Sequence, residues 1–189
     1  MKSKTETFKG KIKIIISSPY GEPEGAVLDD GTFIKIPPHS LIHAELIKVG
    51  ASVSGEGELI PGALNPVFHH VKFKVVKDLV ANDQGTPHER EKLKEKHKKA
   101  LSKIKESEFE DMTVRSQVEA IGVKPKGGID RIILTDGTSV HLPKELYLDS
   151  SKIHVGDTLN IEGAGKQFKS LKFMRASVIS NSNGKALTE

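Results

Sequence analysis

Four histidines in the first half of the sequence are the residues best suited to metal chemistry. His39 and His43 stand four residues apart, a spacing that places two imidazoles on one helical face, and His69 is followed directly by His70. No glutamate separates the first pair in the His-Glu-x-x-His manner, and neighbouring strand residues point to opposite faces, so only one of the second pair can join them. We therefore expect capping or surface histidines and predict no metal.

Lysines that alternate with apolar residues form the second group with chemical potential. Phe33 beside Lys35, with Tyr20 in a neighbouring loop, is typical of a platform on which bases stack between phosphate contacts. The second half of the chain has no such aromatic residues and would contact only the nucleic-acid backbone. The predicted nucleic-acid-binding residues are Tyr20, Phe33, Lys35, Lys9, Lys11, Lys13, Lys72, Lys74, Lys126 and Arg131.

Motifs for catalysis are missing from the sequence. There is no cysteine, so thiolate nucleophiles and cysteine-ligated metals are excluded. The glycines are not followed by the Lys-Ser/Thr of a phosphate-binding loop, and no serine, histidine and acid form a recognisable set. Asp30 is explained by the turn that it begins with Gly31. We predict a non-enzymatic protein without a cofactor.

These side chains are carried by an internal repeat. The segment from Gly21 to Pro37 aligns without gaps with the segment from Gly127 to Pro143, and equivalent residues such as Gly31 and Gly137 are 106 positions apart. Each copy reads as three strands, a short helical segment that Ser40 would cap in the first copy, and two more strands. This β-β-β-α-β-β order favours two tandem five-stranded barrels of the OB type, with an SH3-like barrel or half a sandwich as alternatives.

Strand periodicity predicts which side chains fill the first barrel. It places Ile12, Ile14, Ile34 and Ile36 inside, and it places Phe33, Lys35 and the strand lysines outside. The predicted domains are a first barrel over residues 8–76, a charged helical linker over 77–113 and a second barrel over 114–180. The N-terminus lacks a signal core, and no segment reaches the roughly 20 apolar residues that span a bilayer, so we predict a cytoplasmic protein without membrane contact.

The motif Asp29-Asp30-Gly31-Thr32, four further residues and Pro37-Pro38-His39 resembles bacterial tandem OB-like proteins of uncharacterised function. Both copies share the resemblance, although Lys144-Glu145 replace Pro38-His39 in the second copy. The resemblance implies a fold and little chemistry. Our leading hypothesis is that the first barrel binds single-stranded DNA or RNA. The alternative is a protein-interaction or scaffolding module made of two packed barrels.

Overall fold

The chain forms two closed five-stranded β-barrels in tandem, which confirms the predicted fold class. The computed structural model describes residues 5–84, 91–92, 94–95, 98–99, 102, 108–146, 148 and 150–188. The strands of the first half are β1 (Thr5–Ser17), β2 (Pro23–Leu28), β3 (Phe33–Lys35), β4 (Ser52–Leu59), β5 (Val67–Val75) and β6 (Asp78–Asn82). Those of the second half are β7 (Glu110–Val123), β8 (Ile129–Leu134), β9 (Thr138–His141), β10 (Thr158–Phe168) and β11 (Leu171–Asn181).

The two barrels have the same topology. In the first, the order β3-β2-β1-β4-β5 is closed by a parallel pairing of β3 with β5. In the second, the order β9-β8-β7-β10-β11 is closed by a parallel pairing of β9 with β11. A five-stranded barrel of this kind is compatible with the OB-fold. The repeat that the sequence contains is therefore a repeat of structure.

The hairpin turns explain why the repeat is recognisable. Gly31 adopts a φ of 83°, a left-handed conformation that glycine reaches without steric cost, and the Asp30 carboxylate accepts a hydrogen bond from the amide of Thr32 at 2.9 Å. Gly137 repeats the turn with a φ of 85°, and Asp136 accepts from the amide of Thr138 at 3.0 Å. The turn chemistry itself restricts these residue types.

The predicted helix between β3 and β4 is wrong. Two short 3-10 turns, Pro38–Ser40 and Ala44–Leu46, replace it, and no side chain caps either of them. Between the two turns the chain runs along the edge of β6, where the amide of Ile42 donates to the carbonyl of Val80 at 2.9 Å. This pairing gives the Ile42 amide the hydrogen bond that a continuous helix would have supplied, and the segment is extended at this point.

Strand β6 lies in the segment predicted as the linker and pairs with β5. In the second barrel, the end of the chain pairs with the equivalent strand, β11. Ser180 bridges to Ala186, and the amide of Leu187 donates to the carbonyl of Ile179 at 2.8 Å. Between the barrels, residues 91–92, 94–95 and 98–99 are helical, while most of the remaining predicted linker helix lies outside the described residues.

A β-bulge separates two layers of isoleucines in β1. The register with β2 shifts between Ile12 and Ile14, so Lys13 is the extra residue and the side chains beyond it change faces. Ile12 fills the first barrel, whereas Ile14 and Ile16 leave it and join the core of the second barrel. The prediction that Ile14 lies inside the first barrel is therefore wrong.

Candidate functional site

The two barrels pack against each other through equivalent faces. Strand β3 contacts β7 and β1 contacts β9, which are reciprocal pairs of the repeat. Across this contact, the ammonium of Lys13 lies 2.5 Å from a carboxylate oxygen of Glu119, its own equivalent 106 residues later. A residue that meets its equivalent marks a pseudo-two-fold axis, so these contacts approximate the isologous form of a symmetric dimer, although β1 also contacts β11 without a reciprocal contact of similar extent between β7 and β5. The interface covers the face of β2 and β3, where OB barrels usually bind ligands.

Phe33 lies in this interface and is not available as a stacking platform. Its side chain leaves the first barrel, as the strand periodicity predicts, but only 2% of its surface is exposed because the second barrel covers it. The ring lies between Gly25 of its own barrel and Gly122 of the other: a methyl group on Gly122 would overlap Cε1 of the ring, and one on Gly25 would lie 3.2 Å from Cε2. The prediction that Phe33 faces solvent is wrong, since periodicity describes one barrel and not what packs upon it.

Lys35 and Arg131 hold the interface together at its rim. The Lys35 ammonium donates to the carbonyl of Val123 at 2.7 Å and to both carboxylate oxygens of Asp130 at 2.8 and 2.9 Å. Burial lowers the pKa of Lys35, and the Asp130 carboxylate opposes that shift. Arg131 donates to Glu24 at 2.8 Å. These cations bridge the barrels, in contrast to the phosphate contacts predicted for them.

A cleft of about 270 Å³ opens at this rim, and the sequence did not reveal it. Its charged walls are the two ion pairs Lys35–Asp130 and Arg131–Glu24, beside the ring of Phe33. Each of these charges already has a partner in the other barrel, so the cleft is explained as part of the junction. A signal for the junction was present in the run Ile14–Ile15–Ile16, because consecutive apolar residues indicate a strand that is covered on both faces.

Tyr20 and Lys126 lie in equivalent loops, one in each barrel. Tyr20 is half-buried, and burial raises the pKa of its hydroxyl, with the nearby carboxylates Glu24 and Glu22 adding to the rise. Lys126 is exposed in the turn between β7 and β8. Neither side chain lies on the sheet that carries the strand lysines of the first barrel.

Four of the predicted lysines do come together, on the outer face of β1, β4 and β5. The strand registers align Lys9 with Ser54 and Ser54 with Lys74, and the neighbouring row places Lys72 beside Glu56. Lys11 continues the same face along β1, because it lies two residues from Lys9. Lys13 does not belong to this group, since the bulge turns it towards Glu119.

This lysine face, defined by Lys9, Lys11, Lys72 and Lys74, contains a shallow groove of about 680 Å³. Strand spacing places the lysines of β1 and β5 about 10 Å apart on its two sides. Glu56 lies within it, 3.2 Å from the Lys72 ammonium, and both side chains of that pair are 43% exposed. An ion pair so accessible to solvent contributes little, so the Lys72 ammonium can exchange this partner for another anion.

The corresponding face of the second barrel has lost this charge. The residues 106 positions beyond the lysines keep the same strand registers but include a single cation; they are Arg115, Gln117, Val178 and Ser180. Since both barrels fold with the same topology, the fold itself does not require lysines at these positions. The lysine face is a property of the first barrel alone.

The four histidines contact nearby carboxylates, and His39 and His70 share one of these, Asp83. Each lies beside a carboxylate: His39 at 2.9 Å from Asp83, His43 at 3.2 Å from Glu45, His69 at 3.6 Å from Glu58 and His70 at 3.6 Å from Asp83. The helix that would have aligned the first two is absent. Among the residues that the structure describes, no group of three or more histidines and acids is arranged to hold a metal ion.

Comparison with known proteins adds no assignment. In the described part of the chain, no helix is both long and apolar enough to cross a membrane. No protein-family model matches the sequence, and no curated protein is significantly similar to it.

Proposed function

We propose that the protein is a non-catalytic binding protein that takes single-stranded nucleic acid on the lysine face of its first barrel. The observation that carries this proposal is the alignment of Lys9, Lys11, Lys72 and Lys74 on one continuous sheet surface. The second barrel, with the same fold, has a single cation at the equivalent positions. A charge pattern that the fold does not need is best explained by an anionic ligand.

The groove dimensions favour one nucleic-acid strand. Lysines on β1 and β5 flank a strip about 10 Å wide, enough for a single backbone between two rows of ammonium groups. The two backbones of a duplex are held apart by grooves, the major one about 12 Å across, so only one of them would engage these lysines. A flexible single strand can bend to follow both rows of lysines, whereas the stiff backbone of a duplex cannot bend over so short a length.

Binding on this face would be independent of sequence. The β2–β3 face, where an OB barrel would stack bases, is covered by the other barrel, and Phe33 is buried there. Lysines contact phosphates and read no base edges. We expect affinity to be similar for different base compositions and to fall steeply with salt, because bound phosphates release their counterions.

The test is fluorescence anisotropy of labelled single strands of about 20 nucleotides at several salt concentrations. The double variant Lys72→Gln/Lys74→Gln should weaken binding at least tenfold and reduce the salt slope by about 1.4, at about 0.7 for each phosphate contact on a single strand. The control Lys144→Gln/Lys152→Gln removes the same charge from exposed positions of the second barrel and should bind normally.

Equal weakening by the two double variants would mean that net charge alone attracts nucleic acid and would overturn the proposed site. Absence of binding at low salt would overturn the function. A duplex that binds more tightly than the single strand would contradict the argument from groove width.

A protein-interaction or scaffolding role is the second candidate. It is favoured by the packing of the two barrels, which share one hydrophobic cluster that includes Ile16 and Phe33 of the first and Ile121 of the second. Two barrels fixed in this way present their outer strands in a constant relative position, which suits a surface for docking other proteins.

A further inference from the structure

The first half of β1 has a sheet edge that no described strand covers. Lys11 defines the direction of this edge, because its amide donates to Asp29 at 3.0 Å and its carbonyl accepts from the Asp29 amide at 2.9 Å, both on the side away from β4. Ile12, the next residue, directs its amide to the β4 side, where it donates to the carbonyl of Ala51 at 3.0 Å. Backbone groups of alternate residues point the same way in a strand.

It follows that the amides and carbonyls of Thr5, Thr7 and Lys9 point away from β4, as those of Lys11 do. Strand β2 pairs with β1 from Ile12 onwards and leaves this part of the edge open. Within the described residues, nothing else pairs with it. A row of such groups is a template for an added strand.

The second barrel has the same open edge with different side chains. There the carbonyl of Gln117 accepts from the amide of Thr135 at 2.9 Å, so Asp111, Thr113 and Arg115 occupy the places of Thr5, Thr7 and Lys9. The first edge carries Lys9 and Lys11 with no acid among its outward residues, whereas the second carries one acid and one base. The Asp29 carboxylate closes the first edge at Lys11, so the strand's own outward side chains leave Lys9 as the charged residue of the open part.

We propose that this edge of β1 binds an acidic peptide segment in extended conformation as an added strand. Main-chain hydrogen bonds to Thr5, Thr7 and Lys9 would hold the peptide. Its outward carboxylates would lie about 5 Å, between Cβ atoms, from the lysines of the neighbouring strand. A second copy of the chain is a poor occupant, because antiparallel pairing of two β1 edges would bring their lysines onto one face. This inference rests on the second candidate function and does not require nucleic-acid binding.

The test uses a labelled peptide of about eight residues that alternates Glu with Val, titrated into the full chain. Thr7→Pro removes one backbone donor from the edge and no charge, and an edge strand tolerates proline where its amide faces solvent. We expect Thr7→Pro to weaken binding at least tenfold. The control Thr113→Pro makes the same change at the equivalent position of the second barrel and should leave binding unchanged.

A second measurement does not depend on how the variant folds. The same peptide, N-methylated at alternate residues so that it loses the amides facing β1, should fail to bind the unchanged protein. A peptide with Gln in place of Glu should bind at least tenfold more weakly, since it keeps the backbone and loses the charge.

The outcomes separate this inference from the nucleic-acid proposal. Lys72→Gln/Lys74→Gln should weaken the binding of single-stranded DNA and leave the acidic peptide bound, because these lysines lie on β5, two strands away from the β1 edge. If Thr7→Pro and N-methylation both leave peptide binding intact, the peptide is held as a simple polyanion and strand addition is wrong. Failure of the acidic peptide to bind at all would overturn the inference, whatever the result with DNA.

Discussion

The ring of Phe33 in the first barrel packs directly against the backbone of Gly122 in the second, where even a methyl group on the glycine would overlap Cε1 of the ring. The Arg131 side chain limits the remaining space, since its Cβ lies 2.9 Å from the position of that methyl. The close approach of the two sheets therefore depends on a residue without a side chain.

Gly122→Ala should lower the free energy of unfolding by about 1–3 kcal/mol through overpacking at this contact. Urea denaturation followed by circular dichroism measures the loss. Phe33→Leu in the same chain should recover part of it, because a smaller side chain vacates the space. A loss of similar size in both backgrounds would show that the glycine is needed for its own backbone and not for the ring.

Phe33→Ala should destabilise the protein by about 3–5 kcal/mol, the range for an aromatic side chain removed from a core. Because Phe33 belongs to the cluster that fills the second barrel, both barrels should respond together. Hydrogen exchange at the amides of Val71 in the first barrel and Ile132 in the second measures the free energy of opening of each barrel. We expect Phe33→Ala to lower both values by a similar amount. A loss in only one barrel would contradict a shared core.

The pair formed by Lys13 and Glu119 is open to a charge exchange. Lys13→Glu would place two carboxylates against each other and should cost about 1 kcal/mol, in keeping with the 49% exposure of the lysine side chain. Adding Glu119→Lys restores a pair of opposite charge and should recover most of the loss. A double-mutant cycle from urea denaturation measures the coupling, and additive effects would mean that the pair contributes nothing.

Acid should destabilise the protein through His141. Burial lowers the pKa of this imidazole to about 4, and the charges of Arg131, Arg175 and Lys124 contribute in the same direction, against Asp130. The unfolded chain, with a histidine pKa near 6.5, binds the proton first, so stability is present above about pH 6.5 and is lost as the pH falls towards 4. His141→Gln should reduce the fall of the thermal melting temperature between about pH 6.5 and 4. His154→Gln, at an exposed site, should leave this pH dependence unchanged.

Val76 is a β-branched residue held in a left-handed conformation. Its φ is 56° and the residue is 71% exposed, so little packing offsets the strain at this turn between β5 and β6. Val76→Asn should raise the free energy of unfolding by about 1 kcal/mol, since asparagine tolerates this region. Val76→Ala keeps the Cβ and should gain less; an equal gain in alanine would point to the exposed apolar surface as the cause.

Local rules predicted the parts of this molecule that depend on local chemistry. Asp30 and Gly31 identify their turn because few residues accept its geometry, and a period of two places Lys9 and Lys74 on one outer face. Phe33 was assigned to the correct side of its strand, but its burial depends on a barrel more than 80 residues away. The prediction for Ile14 is wrong because a bulge of one residue turns the following side chains to the opposite face of the strand, and the alternating pattern gives no sign of this bulge.

The meeting of Lys13 with Glu119 separates this molecule from any dimer of identical halves. Residues on the two-fold axis of a homodimer face copies of themselves, so a lysine there would confront a lysine. Joining both halves in one polypeptide lifts that identity, and each side of the axis can hold a different residue. The same freedom lets one barrel carry the lysine face while its twin carries Gln117, Val178 and Ser180 in the matching places. Tandem duplication thus allows two barrels of the same fold to have different surfaces, which the exact symmetry of a homodimer does not allow.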